Sequence, residues 1–232
     1  EGNIVLNGAG NSLTTLELAG GDMTLGGRND GASRVTTVEN LASGAGGGTL
    51  DLGRGARLVV TGQQAGSHVT DVTISGDGTL TLGGTGTDSS LTLGNGSSLD
   101  GVLLDIREGS ALSAAAGSVN AVSGLTGGGA LKLSGSEMTV NSTASHTFTG
   151  TLDGASGTLS VKSGNGSVQT IKGAGNAGYH LNVTDGGALT LAGAAAEGGN
   201  PAQAAYKGIT VNGGTLNIGS ASDPKTQLTL GT

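Results

Sequence analysis

One unit recurs along this chain: an apolar-x-apolar arm, a short turn of Gly, Ser, Asp or Asn, and a second apolar-x-apolar arm. It reads LELAGGDMTL from Leu16, LDLGRGARLVV from Leu50, VTISGDGTLTL from Val72, LDIREGSAL from Leu104 and LKLSGSEMTV from Leu131. Later copies are LSVKSGNGSV from Leu159, LNVTDGGALTL from Leu181 and ITVNGGTLNI from Ile209, with a partial LTL at Leu228. Alternation with period two puts both apolar residues of an arm on one face of a strand and the intervening Thr, Asp, Asn or Ser on the other. Glycine in the turns supplies the positive φ that sharp corners require.

The second arms start at Met23, Leu50 and Leu80, then at Leu131, Leu159, Leu189 and Leu216, and between the two series the spacing shortens through Leu91 and Leu112. Strands alone, repeated at such a period, describe stacked coils that bury their arms against their neighbours. The expected fold is all-β, a parallel β-helix running through residues 1–232 as one domain. An antiparallel β-sandwich built from the same hairpin-like units is the alternative, since the turns are short enough for hairpins. The exception to strand is AAAEGGNPAQAAY, where Asn200 could cap and Pro201 open one helical turn in a loop. Residues 26–49, 113–127 and 192–208 read as the longest loops.

Composition limits what such a core can be. Phe148, Tyr179 and Tyr206 are the only aromatics and glycine supplies 49 residues, so the core is thin. Apolar residues are only 34% of the chain, which invites a disordered reading, but charged residues are only 12% and the Leu, Val and Ile recur at regular intervals. Order is therefore expected. The net charge of −7 lies entirely in residues 1–116, which argues against nucleic acid and against anionic lipid as partners. There is no Cys, so neither disulfides nor a thiolate metal site can form. No segment approaches the ~20 apolar residues of a membrane-spanning helix. The chain opens on Glu-Gly and stops just after LTLGT, in patterned sequence at both ends, as expected of a piece of something longer.

The stretch GLTGGGALKLSGSEMTVNSTASHTFTGTLDGASGTLSV, residues 124–161, resembles the autotransporter-associated β-strand repeat of bacterial autotransporter passenger regions. Gly129, Leu131, Lys132 and Gly135 match its first half, and Phe148, Gly150, Gly157 and Leu159 its second. Tyr206, Gly208, Gly214 and Leu216 repeat the second half; Tyr179, Gly187 and Leu189 repeat most of it, with His180 and Leu181 where a glycine is expected. All three aromatics sit at this one repeat position. The best match covers 124–232; residues before it match only through their arms. The resemblance implies a right-handed parallel β-helix, secreted or displayed at a Gram-negative outer membrane, with an outer-membrane β-barrel elsewhere in the parent protein. It implies adhesion, self-association or a supporting stalk without choosing among them.

Motifs that carry chemistry are few. GAGNAG, Gly173–Gly178, matches a dinucleotide fingerprint but leads into YHLNV, a strand where a helix would be needed. GGTGTD, Gly83–Asp88, matches the opening of a calcium-binding nonapeptide repeat but occurs once, and Leu91 follows one place late. His68, His146 and His180 stand alone, without a second ligand at metal spacing. No G-x-S-x-G or H-E-x-x-H occurs. Asp51, Arg54 and Arg57 share one turn, and Asp105, Arg107 and Glu108 another; these are the candidates for a polysaccharide-acting site. The expectation is a structural or adhesive module, not an enzyme, with no catalytic, cofactor or metal residues and with host glycans or copies of itself as partners. A polysaccharide-acting enzyme is the alternative.

Overall fold

The computed structural model describes residues 4–6, 8, 10–26, 34–62, 67–163, 166–173, 178–192, 203–219 and 227–230. Within them the chain is strand and turn, with no helix. Every ladder between strands is parallel, which excludes the sandwich. The solenoid has three faces. A ten-stranded sheet running from Ile4–Leu6 to Gly208–Asn212 forms the first. The second runs from Gly10–Leu18 and Arg34–Ser43 through Ala56–Val60 and Leu103–Ile106 to Thr215–Ile218. The third takes the later halves of those two long strands, then Ser67–Val69, Ser90–Leu93, Ala111–Ala114, Ala130–Leu133 and Thr151–Asp153. Gln203–Tyr206 and Gln227–Leu230 pair with each other.

Each repeat copy thus bends around a corner instead of folding back as a hairpin. In LDLGRGARLVV the first arm belongs to the first face and the second arm to the second face. The starts of second arms consequently mix faces. Met23 does pair with Leu50, and Leu91 with Leu112 and Leu131 in turn, but Leu50 stands opposite Ile74 and Leu80 opposite Leu104. A turn of the solenoid takes from eighteen residues, Ala121 to Thr139, to twenty-eight, Leu181 to Ile209. Corners absorb the difference while the ladders stay in register.

Alternation sets the core as expected. Leu131 and Leu133 are buried with Lys132 exposed between them, and Leu159, Leu181 and Leu189 are likewise closed off. Two of the presumed loops contain strands. Residues 26–49 include the strand Arg34–Ser43, and 113–127 include Val119–Val122 and Gly124–Gly127. Their inward positions carry Thr36 and Asn120, polar residues that break the apolar-x-apolar pattern while remaining buried. Gln203–Tyr206 is also a strand where a loop with a helical turn was expected; Asn200 and Pro201 lie outside the described residues.

Three inward polar residues, Ser67, Asn120 and Gln169, share one task. Three ladders narrow to a single registered pair: Ala42 with His68, Asp100 with Ala121, and Gly127 with Phe148. At each, an inward side chain takes the backbone group left over. Ser67 Oγ accepts the Leu41 N–H at 2.9 Å and Asn120 Oδ1 the Leu99 N–H at 3.0 Å. Gln169 Oε1 accepts the Leu125 N–H at 3.1 Å while its Nε2 donates to the Leu125 carbonyl at 2.9 Å. A buried N–H left unpaired would cost about 1–3 kcal/mol, so these side chains maintain the stack where its ladder thins.

The aromatics are all fully buried, but they do not share one place. Phe148 ends a second-face strand, whereas Tyr179 and Tyr206 stand just before first-face strands. The repeat motif has therefore slipped by one face between its copies. Its glycines are explained by the corners. A Cβ on Gly150 would overlap the Gly129 carbonyl and lie 2.7 Å from Phe148 Cζ, and one on Gly157 would overlap the Leu133 carbonyl.

Candidate functional site

Outward side chains form columns in register, one residue per turn. On the second face Thr147 stands opposite Thr170, Thr170 opposite Thr190, and Thr190 opposite Asn217. On the first face Asp51 stands opposite Ser75 and Ser75 opposite Asp100, and farther along Thr139, Ser160, Asn182 and Thr210 follow one another. The pleat sends every second residue outward and the parallel register stacks equivalent positions at ~4.8 Å, so a period-two sequence becomes a polar array.

The charged turns come together across turns of the solenoid. Arg57 donates from Nε to Thr81 Oγ1 at 2.9 Å and from Nη2 to Asp105 Oδ2 at 3.4 Å. Arg107 Nε stands 3.6 Å from the same carboxylate oxygen, and Thr81 Oγ1 donates to it at 3.5 Å. The guanidiniums are 33% and 37% exposed and the carboxylate 19%, so water screens the attraction and the cluster contributes about 0–1 kcal/mol. Asp51 is not part of it, since it lies on the first face, and Arg54 and Glu108 are exposed in their turns. The sequence had paired Arg57 with Asp51 and Arg54 because they are adjacent in the chain. The legible signal for the true partner was the shared outward phase of Arg57, Thr81 and Asp105 on successive second-face strands.

The histidines remain apart. His68 is exposed on the third face; the His180 ring lies 2.9 Å from Thr210 Oγ1; His146 is half-buried beside Gly124, its pKa lowered by burial. GGTGTD forms a tight turn in which the Gly84 N–H is bonded to Thr87 O at 3.0 Å and Oγ1 at 2.9 Å. Among the described residues no three His, Asp or Glu side chains are grouped to hold a metal ion. Of GAGNAG only Gly173 and Gly178 are described, and the strand His180–Thr184 follows as expected.

Two concavities are lined by described residues. One, of about 470 Å³, is lined by Gly62, Asp88, Ser89, Ser90, Gly109 and Ala111. The other, about 460 Å³, lies in the first turns and is lined by residues that include Ile4, Leu16, Leu18 and Met23. Tyr179 has the most heavily bonded hydroxyl. It accepts the Leu133 N–H at 2.8 Å and faces the carbonyls of Leu131 and Asp153, each at 2.9 Å. Burial, with a smaller contribution from the Asp153 charge, raises its pKa far above the usual phenol value. No protein-family model, curated protein or solved structure matches this chain.

Proposed function

We propose that this chain is a structural and adhesive β-helix segment of a bacterial autotransporter-like protein, secreted or displayed at a Gram-negative outer membrane. In this reading the parent protein supplies an outer-membrane β-barrel, and the segment's partners are host glycans or neighbouring copies. The carrying observation is the registered polar array, exemplified by Thr147, Thr170, Thr190 and Asn217. Each hydrogen bond from such an array contributes about 0.5–1.5 kcal/mol net, so useful affinity comes from many rungs or many molecules acting together. Ten stacked first-face strands at ~4.8 Å span ~43 Å, which suits a rod that projects contacts away from a surface.

The test is to display the parent protein on a non-adherent bacterium with and without residues 124–232 and to score clumping and attachment to glycoproteins. Loss of both in the deletion, with export intact, is expected. Unchanged clumping and attachment would reduce the region to a spacer. Cleavage of a polysaccharide by the purified chain, abolished by Asp105→Asn, would replace this reading with the enzymatic one.

A further inference from the structure

Along the second face the buried column reads Leu58, Leu80, Leu104 and Leu125 and, after half-buried His146, continues with Gln169, Leu189 and partly buried Leu216. The imidazole is not closed into the core as those side chains are: Gln169, opposite His146 in register, reaches on to Leu125, and the half-buried ring lies against Gly124. This rung is also the thinnest of its face: only Gly127 and Phe148 are in register, where the next rung toward the start has four pairs and the next toward the end three. The Leu125 backbone groups are held by Gln169, whose Nε2 also approaches the His146 carbonyl at 3.5 Å. The imidazole lies so close to Gly124 that any Cβ there would overlap it.

We infer that the His146 rung is a proton-operated weak point of the solenoid, at which charging the imidazole opens the contact between strands Gly124–Gly127 and His146–Phe148. Among the described residues no carboxylate stands ready to compensate that charge. Strands Gly124–Gly127 and Gln169–Ile171 carry no titratable side chain, and the nearest cation along the second is Lys172. In His146's own turn, Glu137 accepts from Ser160 Oγ on the first face, and Asp153 ends the third-face strand Thr151–Asp153. Asp105, which borders Gly127, is held by Arg57 and Arg107. Burial is what lowers the His146 pKa.

The direction follows from linkage. In the opened state the imidazole titrates near its ordinary value of about 6.5, and in the closed state below it. The closed rung keeps its full stability above that value and loses it as pH falls through it, the loss levelling off below the closed-state pKa.

Amide hydrogen exchange on the whole chain at about pH 7.5 and about pH 5, corrected for intrinsic exchange, tests this. Wild type is expected to lose protection several-fold at residues 124–127 and 146–148 at the lower pH, with the rungs around Leu58 and Leu80 unchanged. His146→Leu and His146→Gln, neither of which can titrate, should both hold their protection. The double variant His68→Gln/His180→Gln should respond as wild type does. Undiminished wild-type protection at the lower pH overturns the proposal, as does an equal loss in both His146 variants.

Discussion

Gln169 brackets the backbone of Leu125 from two turns away, accepting its N–H at 3.1 Å and donating to its carbonyl at 2.9 Å. Gln169 is fully buried, so its amide is removed from water to do this. Gln169→Leu would fill the space with the leucine found in most of this column, yet strand both Leu125 groups. A loss of about 2–6 kcal/mol is expected, from two unpaired buried groups at about 1–3 kcal/mol each. Thr170→Val, one residue along and facing outward, should cost under about 0.5 kcal/mol. Urea midpoints of the two variants compare these directly.

The two tyrosines should respond in opposite ways to removal of the hydroxyl. Tyr179→Phe deprives the Leu133 N–H and two carbonyls of their partner and should destabilise by about 1–3 kcal/mol. Among the described residues the buried Tyr206 hydroxyl has no hydrogen-bond partner, so Tyr206→Phe should be neutral or stabilising. Thermal denaturation of both proteins checks the contrast.

Alkaline stability depends on the same pair. Burial pushes the Tyr206 pKa up to about 12 and raises that of Tyr179 further. The unfolded chain releases phenolic protons near pH 10, before the folded one does. These groups therefore leave stability intact below about pH 10 and erode it as pH rises beyond. Since the chain has 2 Tyr, absorbance at the phenolate band should appear in a single step that coincides with unfolding. Ionisation of either tyrosine in the folded chain near pH 10 would contradict the buried hydroxyls.

The alternation is testable at adjacent positions. Leu131→Asp places a carboxylate in the closed interior and should cost several kcal/mol, about 3 or more. Lys132→Asp changes an exposed side chain and should stay within about 0.5 kcal/mol. Leu216→Asp should fall between them, because Leu216 belongs to the last second-face strand and is only partly buried. Equal melting temperatures for the two Leu131 and Lys132 variants would contradict the register.

The arms were legible because Leu, Val and Ile at period two leave one physical option, a strand with one buried face. The partners of those arms were less so. Leu50 and Leu80 look alike in sequence yet lie on different faces, because each corner consumes a different number of residues. The strands that turn Thr36 or Asn120 inward were hidden, since a hydrophobic pattern cannot register buried polar side chains such as Asn120, whose amide bonds the Leu99 backbone a turn away. Candidate site residues were grouped by adjacency in the chain, which joined Arg57 to Asp51. The fold groups them by phase and turn, which joins Arg57 to Asp105.

The Tyr179 hydroxyl, which touches Leu131, Leu133 and Asp153, changes how such a rod would yield under tension. A stack whose turns bond only their immediate neighbours unwinds one turn at a time, each small release independent of the next. Tyr179 fastens three turns through a single atom, and Gln169 reaches across two turns nearby. Pulled from its ends, the molecule should pay out short, even lengths until it meets this knot, hold, and then give way in one longer step.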